Sequence, residues 1–174
     1  NSSENIRYDA TMVSTDYISP ELSNNNLSQI YMNQNQDLYA LAVLIFQLLN
    51  KGIHPYQGIV KSKNFENKTN DEKAQLYLYP YGLQSDIRIE PSQQSVHDTF
   101  LTETRKLFDR AFNPNYTKPT ANEWKEHFEF ISNQRMITPC EKFPNNFEHL
   151  KFKNMPCPIC NKLNNSAYDV KRID

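Results

Sequence analysis

The chain has 174 residues, of which 19 are basic and 20 acidic, and its formal net charge is −1. A chain of this length can bury one sizeable core and carry a small appendage. The balanced charge argues against a large nucleic-acid or membrane footprint, so we expect neither as a partner. The first five residues, Asn-Ser-Ser-Glu-Asn, are polar and lack an initiator Met, which is compatible with a chain that begins inside a longer protein.

The segment before the first apolar run is predicted to be mostly irregular. Residues 1 to 18 show no periodicity and are expected to form a partly buried loop. The sequence Ser-Pro-Glu-Leu from Ser19 has the pattern of a short helix, with Ser19 as the cap and Pro20 in the first turn. The polar run from Ser23 to Gln36 predicts a surface connection.

The longest apolar run is the predicted centre of the fold. Residues Leu38 to Phe46 are nine consecutive apolar or aromatic positions, and Leu48 and Leu49 extend the run. Good helix formers dominate it, which predicts a helix that begins near Asp37 and stops at Gly52. Because the run is apolar around its whole circumference, we expect burial on all sides. It is shorter than the roughly 20 apolar residues that span a bilayer. We therefore predict the central helix of an all-α domain.

Two further helices are predicted beyond the hydrophilic segment Lys61 to Lys73, which we expect to be a surface loop or a short exposed helix. The first covers Asp98 to Phe112, where apolar residues recur at helical spacing before an Asn-Pro stop. The second opens with a capping box of Thr120 and Glu123. Its expected buried stripe consists of Trp124, Phe128 and Ile131.

An aromatic patch lies between the hydrophilic segment and the helix predicted from Asp98, and it is broken by Pro80 and Gly82. It comprises Tyr77, Leu78, Tyr79, Tyr81 and Leu83. Pro and Gly interrupt regular structure, so we expect irregular chain packed on a helical core. A ligand site built from the aromatic rings is the alternative.

All three cysteines fall in the last 35 residues of the chain. That distribution is unusual for a disulfide framework and typical of a metal site in an intracellular protein, so a cytoplasmic location is expected. With one histidine they form the pattern C-x8-H-x7-C-x2-C, which comprises Cys140, His149, Cys157 and Cys160. Such a set can hold zinc in a tetrahedral structural site. A module of about 35 residues is too small for its own core, so zinc would supply its stability.

Two alternatives remain open for these residues. Cys157 and Cys160 can also be a redox pair, although the strand-to-helix context of such pairs is not evident in the sequence. The fourth ligand is open as well, because a lone histidine is usually only a polar surface residue. The other candidates for that position are His127, Glu141 and Asp169.

Four stretches, taken in order, resemble the C-terminal lobe of eukaryotic-like protein kinases. Residues 13–22, VSTDYISPEL, look like the end of an activation segment, with Ser-Pro-Glu for Ala-Pro-Glu. Residues 37–44, DLYALAVL, are similar to the central buried helix of that family, and the sequence His-Pro-Tyr at 54–56 matches the exit of the helix. The sequence LFDRAFNP at 107–114, followed by Lys-Pro-Thr at 118–120, resembles the last two helices and the Arg-Pro-Thr between them.

The resemblance implies structural roles for three charged residues. Glu21, in the Ser19-Pro20-Glu21 motif, would form a buried ion pair with Lys118, which stands where the family has Arg and so lacks bidentate geometry. Loss of one partner of a buried pair costs roughly 3 to 5 kcal/mol. Asp37 would accept backbone hydrogen bonds from the catalytic loop, and a helix cap or first-turn acid is its alternative role.

The resemblance also makes the residues before this motif part of the substrate loop. Ser14 stands where the family usually has the Thr beside the catalytic base, and Val13 replaces a usual Gly, which puts the loop geometry in question. Candidate regulatory phosphosites are Thr11, Ser14, Thr15 and Tyr17, for which ordinary exposed loop hydroxyls are the alternative.

The segments that carry kinase chemistry are missing from this sequence. It has no Gly-rich loop, no Val-Ala-Ile-Lys, no His-Arg-Asp and no Asp-Phe-Gly. Because those segments bind ATP and Mg²⁺ and supply the catalytic base, the chain is not expected to transfer phosphate by itself. The resemblance implies a parent Ser/Thr kinase whose N-terminal half is the partner of this lobe, together with protein substrates. A pseudokinase-type docking module is the alternative from another functional class.

A kinase-like lobe with such a tail resembles a bacterial group of eukaryotic-like kinases found with stress-resistance genes. Their tail ends in Cys-Pro-Trp-Cys, and Ile159 stands here in place of the Trp. We therefore predict two domains, a kinase-like C-lobe over residues 1–135 and a zinc-knuckle module over residues 136–174.

Overall fold

The computed structural model of the chain describes residues 14–23 and 33–162. The predictions for Thr11, for Val13 and for most of the polar run between Ser23 and Gln36 fall on residues outside these ranges.

Most of the regular structure in the described residues is helical. The helices are α1 (Pro20–Ser23), α2 (Gln34–Leu49), α3 (Asn70–Gln75), α4 (Thr102–Phe112) and α5 (Ala121–Asn133). Single 3-10 turns occupy Thr15–Tyr17, Lys63–Phe65, His97–Thr99 and Phe147–His149. The hydrophilic segment after α2, predicted as a loop or a short helix, thus contains one of these turns and the start of α3.

Two small antiparallel sheets correct the expectation of an all-α fold. In the first sheet, β1 (Gly58–Val60) pairs with β2 (Ile89–Pro91). In the second, β3 (Ile137–Pro139) pairs with β4 (Leu150–Phe152). Each strand is 3 residues long, and so short a strand has no alternating pattern for sequence analysis to detect.

Helix α2 begins earlier than predicted and stops where predicted. Its N-cap is Asn33, whose side chain accepts a hydrogen bond from the backbone N–H of Gln36. The helix therefore starts before Asp37, in the run predicted as a surface connection. At the other end Gly52 has a left-handed φ of 79° and donates its N–H to the carbonyl of Gln47, which confirms the predicted stop.

One face of α2 is exposed, so the prediction of burial on all sides is wrong. The side chains of Leu44 and Leu48 are 48% and 83% exposed. Exposed Asp37 belongs to the same face, because positions i, i+7 and i+11 of a helix align. The other side carries Val43 and Phe46, which are fully buried. Uniform apolarity does not reveal which face of a helix has a neighbour.

Phe46 is the centre of an aromatic core. Its ring centroid lies 5.0 Å from those of Tyr81 and Phe108, 6.0 Å from that of Phe112 and 6.4 Å from that of Phe100. Most of these contacts are edge-to-face, the arrangement that aromatic rings prefer. Tyr81 belongs to the predicted aromatic patch, which is therefore irregular chain packed on the core, as expected.

The last two predicted helices are present, but α4 begins at Thr102 rather than at the predicted Asp98, which lies in the separate 3-10 turn His97–Thr99. Helix α5 opens on the predicted capping box, in which the Thr120 hydroxyl accepts from the Glu123 N–H at 3.1 Å and the Glu123 carboxylate accepts from the Thr120 N–H at 2.8 Å. Its stripe faces the core, with Trp124 and Ile131 buried and Phe128 partly buried.

The tail that follows α5 packs on the helical body. Phe152 of β4 contacts the aromatic core. Asn161 donates a side-chain hydrogen bond to Asp98 at 2.8 Å, and the Lys162 ammonium donates to the carbonyl of Gln93 at 2.6 Å. Within residues 14–23 and 33–162, no helix is both long enough and apolar enough to cross a bilayer.

Candidate metal centre

Pairing of β3 with β4 brings the first two predicted ligands together. The antiparallel register places Pro139 opposite Leu150. Cys140 directly follows Pro139, and His149 directly precedes Leu150. Strand pairing by itself therefore sets the cysteine beside the histidine, although eight residues separate them in the chain. Both strands lie after the predicted domain boundary at residue 135.

The Cys-x2-Cys stretch supplies the other two side chains. Asn154 has a left-handed φ of 65° in the turn that follows β4. Residues 158–162 are then helical, and the Asn161 N–H donates to the carbonyl of Cys157 at 2.9 Å. This single helical turn places Cys157 and Cys160 on one side of the chain.

The four side chains form one group, the Cys/His cluster, made of Cys140, His149, Cys157 and Cys160. Their ligand atoms all lie within 4.8 Å of one another. The sulfurs of Cys140 and Cys160 are 3.7 Å apart. The Nδ1 of His149 lies 3.6 Å from the Cys157 sulfur and 3.5 Å from the Cys160 sulfur. The side chains of Cys140, His149 and Cys157 are buried, and that of Cys160 is half-buried. This cluster can bind a metal ion.

The pKa values of two thiols of the cluster, Cys140 and Cys160, are shifted in opposite directions. Burial raises the pKa of Cys140, but hydrogen bonds from the backbone N–H groups of Lys142 and Phe143 outweigh it and hold that pKa below its usual range. Burial and the neighbouring thiols raise the pKa of Cys160 to about 11. Since adjacent thiolates repel each other, a cation among the sulfurs is what allows all of them to ionise.

Among the described candidates, His149, and neither Glu141 nor His127, completes the cluster. Glu141 is exposed and forms a 2.8 Å ion pair with Lys151 of β4. His127 lies on α5, where its Nε2 is 2.8 Å from the Thr104 hydroxyl. The remaining candidate, Asp169, lies outside the described residues. The three cysteines are free thiols, so no disulfide joins them.

The residues of the activation-segment resemblance are held on α2. The Tyr17 hydroxyl donates to the side-chain oxygen of Gln47 at 3.0 Å. Gln36 accepts from the Ser19 backbone N–H at 2.8 Å and donates to the Tyr17 carbonyl at 2.6 Å. Sequence analysis missed both glutamines, because a glutamine in a polar run carries no mark of a long-range partner.

His54 is a further anchor that sequence analysis did not identify. Its Nδ1 accepts from the Tyr56 backbone N–H at 3.3 Å, so the proton resides on Nε2, which donates to the Asp16 carbonyl at 2.9 Å. Burial lowers the pKa of His54, against the opposing effects of this hydrogen bond and of the Asp16 charge. The sequence His-Pro-Tyr marked the position but not its partner, which is 38 residues away.

The predicted pair of Glu21 and Lys118 forms, with 3.0 Å between the ammonium and the carboxylate. The pair was expected to be buried, but the Glu21 side chain is 43% exposed, whereas that of Lys118 is 11% exposed. Burial raises the pKa of Glu21, but hydrogen bonds from its own backbone N–H and from Lys118 outweigh it and lower that pKa. A pair with one exposed partner contributes about 1 kcal/mol or less, not the 3 to 5 kcal/mol of a buried pair.

Of the remaining predicted residues of the kinase-like region, Pro20 is buried, whereas Asp37, Ser14 and Thr15 are exposed. Asp37 lies in the first turn of α2, where a negative charge favours the helix dipole, and the cap itself is Asn33. Ser14 and Thr15 are exposed before α1. A contact of Asp37 with a catalytic loop and modification of these hydroxyls stay predictions.

Comparison of the chain with protein-family models, with curated proteins and with solved structures finds no match in any of the three.

Proposed function

We propose that the Cys/His cluster is a structural zinc site in the C-terminal lobe of a protein Ser/Thr kinase-like protein. By itself the chain is not a catalyst in this proposal. The helical body holds the activation segment and protein substrates, and the zinc ion fixes the tail on that body. The spacing of the ligand atoms is the observation that carries the zinc assignment.

Three of the separations in the cluster match those of a tetrahedral zinc site, and all of its ligand atoms lie within 4.8 Å of one another. Zn–S bonds of about 2.3 Å and a Zn–N bond of about 2.0 Å, set at the tetrahedral angle, separate two sulfurs by about 3.8 Å and a sulfur from a nitrogen by about 3.5 Å. The corresponding separations here are 3.7 Å between Cys140 and Cys160, and 3.6 Å and 3.5 Å from His149 to Cys157 and Cys160. Three thiolates and one imidazole are also the ligand set of closed structural zinc sites.

A structural role fits better than a catalytic one. A catalytic zinc keeps one position open for water or substrate, whereas four protein ligands fill a tetrahedral shell. Within the described residues, the regular structure of the tail consists of the two three-residue strands β3 and β4, the 3-10 turn Phe147–His149 and the helical turn at residues 158–162. Elements of this size do not fold alone, so the binding free energy of the metal would serve as folding free energy.

Metal analysis of the reduced, purified chain tests the zinc site. We expect about one equivalent of zinc per chain by inductively coupled plasma mass spectrometry. Replacement by Co²⁺ is expected to produce the absorption bands of tetrahedral cobalt with thiolate ligands. Less than about half an equivalent of zinc, with all three thiols reduced, would reject the assignment. A reversible Cys157–Cys160 disulfide at cytosolic potential would favour the redox alternative instead.

Three observations support the kinase-like lobe. An ion pair joins Glu21 of α1 to Lys118 before α5, across 97 residues of sequence. The predicted activation segment is bound to α2 through Tyr17 and Ser19, and to His54 beyond the end of α2 through the Asp16 carbonyl. Helix α2 also lies at the centre of the core while keeping one apolar face exposed, with Asp37 at its start. That face is where we place the N-terminal half of the parent protein.

The reading frame upstream of Asn1 tests this part of the proposal. A kinase parent requires His-x-Asp and Asp-Phe-Gly there, because Mg²⁺ binding and orientation of the attacking hydroxyl depend on them. A parent protein without both motifs would reject the kinase lobe and leave the docking module as the function of the helical body. That outcome would not affect the zinc site, which is tested by metal content.

A further inference from the structure

A cleft with a volume of about 690 Å³ lies between the C-terminal end of α4 and the loop of residues 77–87. This volume is within the range of small-ligand sites, roughly 300 to 1,000 Å³. The cleft shares no lining residue with the Cys/His cluster. No lysine or arginine is among the described residues that line it. Its lining includes Leu83, Asp86, Ile87, Asp109 and Tyr116.

Asp109 is a carboxylate of this cleft that lacks a close cationic partner. Its Oδ2 accepts a hydrogen bond from the Leu83 N–H at 3.2 Å. Its Oδ1 is buried and has no hydrogen-bond partner. The nearby Arg105 instead donates to the carbonyl of Gly82 at 2.7 Å. Burial raises the pKa of Asp109, and neither the Leu83 N–H nor the Arg105 charge fully offsets this effect.

The Gly82 backbone lies against the buried Asp109 Oδ1, so the half-buried carboxylate meets the cleft on the side of its Oδ2. A Cβ at this position would stand 3.3 Å from the Asp109 Oδ1. The other acid of the cleft, Asp86, is already paired with Arg88 at 2.7 Å. Asp109 is therefore the carboxylate of the cleft that a ligand could neutralise.

The rim of the cleft is apolar and aromatic. Leu83 and Ile87 are 42% and 87% exposed, and Tyr116 is 56% exposed. Aliphatic stems bury well against such side chains while their charged ends reach a polar partner. A tyrosine ring also attracts a cation held over its face. Both halves of an amphipathic cation thus have complementary groups in one cleft.

We propose that this cleft binds an alkyl cation, a guanidinium or ammonium group on an aliphatic stem. The stem packs on Leu83 and Ile87, the ring of Tyr116 faces the cation, and the charge of Asp109 compensates it. The site depends on neither the zinc assignment nor the kinase-like assignment of the chain.

Calorimetric titration of the full chain with L-argininamide tests the site. L-citrullinamide is the matched probe, because it keeps the stem and the α-amino group and replaces the guanidinium by a neutral urea. We expect argininamide to bind at least about tenfold more tightly than citrullinamide, and its affinity to fall as salt is raised. A pentapeptide with one central arginine is the second probe. If the natural ligand is a peptide, the pentapeptide is expected to bind more tightly than argininamide. If the ligand is a small-molecule cation, the pentapeptide is expected to bind no more tightly.

Two variants separate the site from a general effect of charge. Asp109→Asn preserves the shape of the side chain and can still accept from the Leu83 N–H, and Tyr116→Leu removes an exposed ring. Each is expected to weaken argininamide binding about tenfold. The control Glu129→Gln removes one negative charge from an exposed position of α5 and is expected to have no effect. Equal binding of both amides, or equal affinity of Asp109→Asn and the unsubstituted chain, would overturn the proposal.

Discussion

Cys157 is the residue whose replacement tests the metal centre most directly. Its sulfur lies 3.6 Å from the His149 Nδ1 and is buried. Water therefore cannot easily take the place of a ligand that is lost at this position. We expect Cys157→Ser to reduce bound zinc from about one equivalent to less than half, because a serine hydroxyl is a poor ligand beside two thiolates. Metal content measured after gel filtration checks this prediction.

Glu141→Gln is the matched control for this variant. Glu141 is next to Cys140 and was a candidate for the fourth ligand, but it pairs with Lys151 instead. We therefore expect Glu141→Gln to keep its full zinc content. Loss of zinc from Glu141→Gln, together with retention in Cys157→Ser, would show that the ligand set is wrong.

His97 predicts how stability depends on pH. Burial and the nearby charges of Arg105 and Lys162, opposed by Asp98, lower the pKa of His97 to about 4. In the unfolded chain the pKa of a histidine is about 6.5. As the pH falls, His97 therefore takes up a proton in the unfolded state before it does so in the folded state. The stability that His97 contributes is thus complete above pH 6.5 and is lost as the pH falls toward 4.

The measurement for this prediction is urea unfolding of the chain and of His97→Gln at several pH values. Between pH 7 and pH 4, the free energy of unfolding of the unsubstituted chain is expected to fall by up to about 3 kcal/mol more than that of the variant. Glutamine can still donate to the Ser95 hydroxyl, which lies 2.9 Å from the His97 Nδ1 in the unsubstituted chain. Parallel stability curves for the two proteins would contradict the assignment.

At the scale of elements, α2 has two faces that should respond differently to truncation. Phe46 is fully buried, and Leu48 is 83% exposed. We expect Phe46→Ala to lower the free energy of unfolding by about 3 to 5 kcal/mol, because it removes the ring at the centre of the core. Leu48→Ala is expected to change that free energy by less than about 0.5 kcal/mol.

Urea denaturation of both variants measures this difference. Phe46 and Leu48 are close in the sequence and lie on the same helix, so helix propensity contributes similarly to both results. A loss of more than about 1 kcal/mol in Leu48→Ala would mean that this face is covered in solution.

The small sheets show why some elements escaped prediction. The capping box of α5 and the Gly52 stop of α2 depend on neighbouring residues, so the sequence pattern predicted both. The strands β3 and β4 depend on each other across a loop of ten residues, from Cys140 to His149. Each has three residues, and pairing rather than local propensity makes them strands.

At the scale of the whole molecule, the proposed zinc ion links the tail to the stability of the body. Phe152 of β4 contacts the aromatic core, and Asn161 bonds to Asp98. We expect the zinc chelator TPEN to lower the melting temperature of the chain, because a ligand that binds only the folded state at 1,000 times its Kd contributes about 4 kcal/mol. Differential scanning calorimetry with and without chelator checks this prediction.

Two controls accompany the chelation experiment. TPEN that has been saturated with zinc should leave the melting temperature unchanged. The variant Cys157→Ser should already melt at the lower temperature and should not respond to TPEN. An unchanged melting temperature after measured zinc removal would show that the tail contributes nothing to the stability of the body.

The sequence by itself determined the helical character of the chain, the capping of α5, the stop of α2 and the three cysteines of the Cys/His cluster. These features depend on residue type at short spacing, such as a glycine at a helix end or two cysteines two residues apart. The kinase-like assignment depends instead on a resemblance to family motifs, and it stays a proposal.

Only the tertiary structure decided which face of α2 is exposed, that Glu21 remains half in solvent, and that His54, Gln36 and Gln47 anchor the segment before α1. It also decided that His149, and neither Glu141 nor His127, joins the three cysteines. Each of these facts depends on residues that are distant in the chain and meet only after folding. Polarity and spacing are properties of single segments, whereas burial and pairing are properties of two segments together.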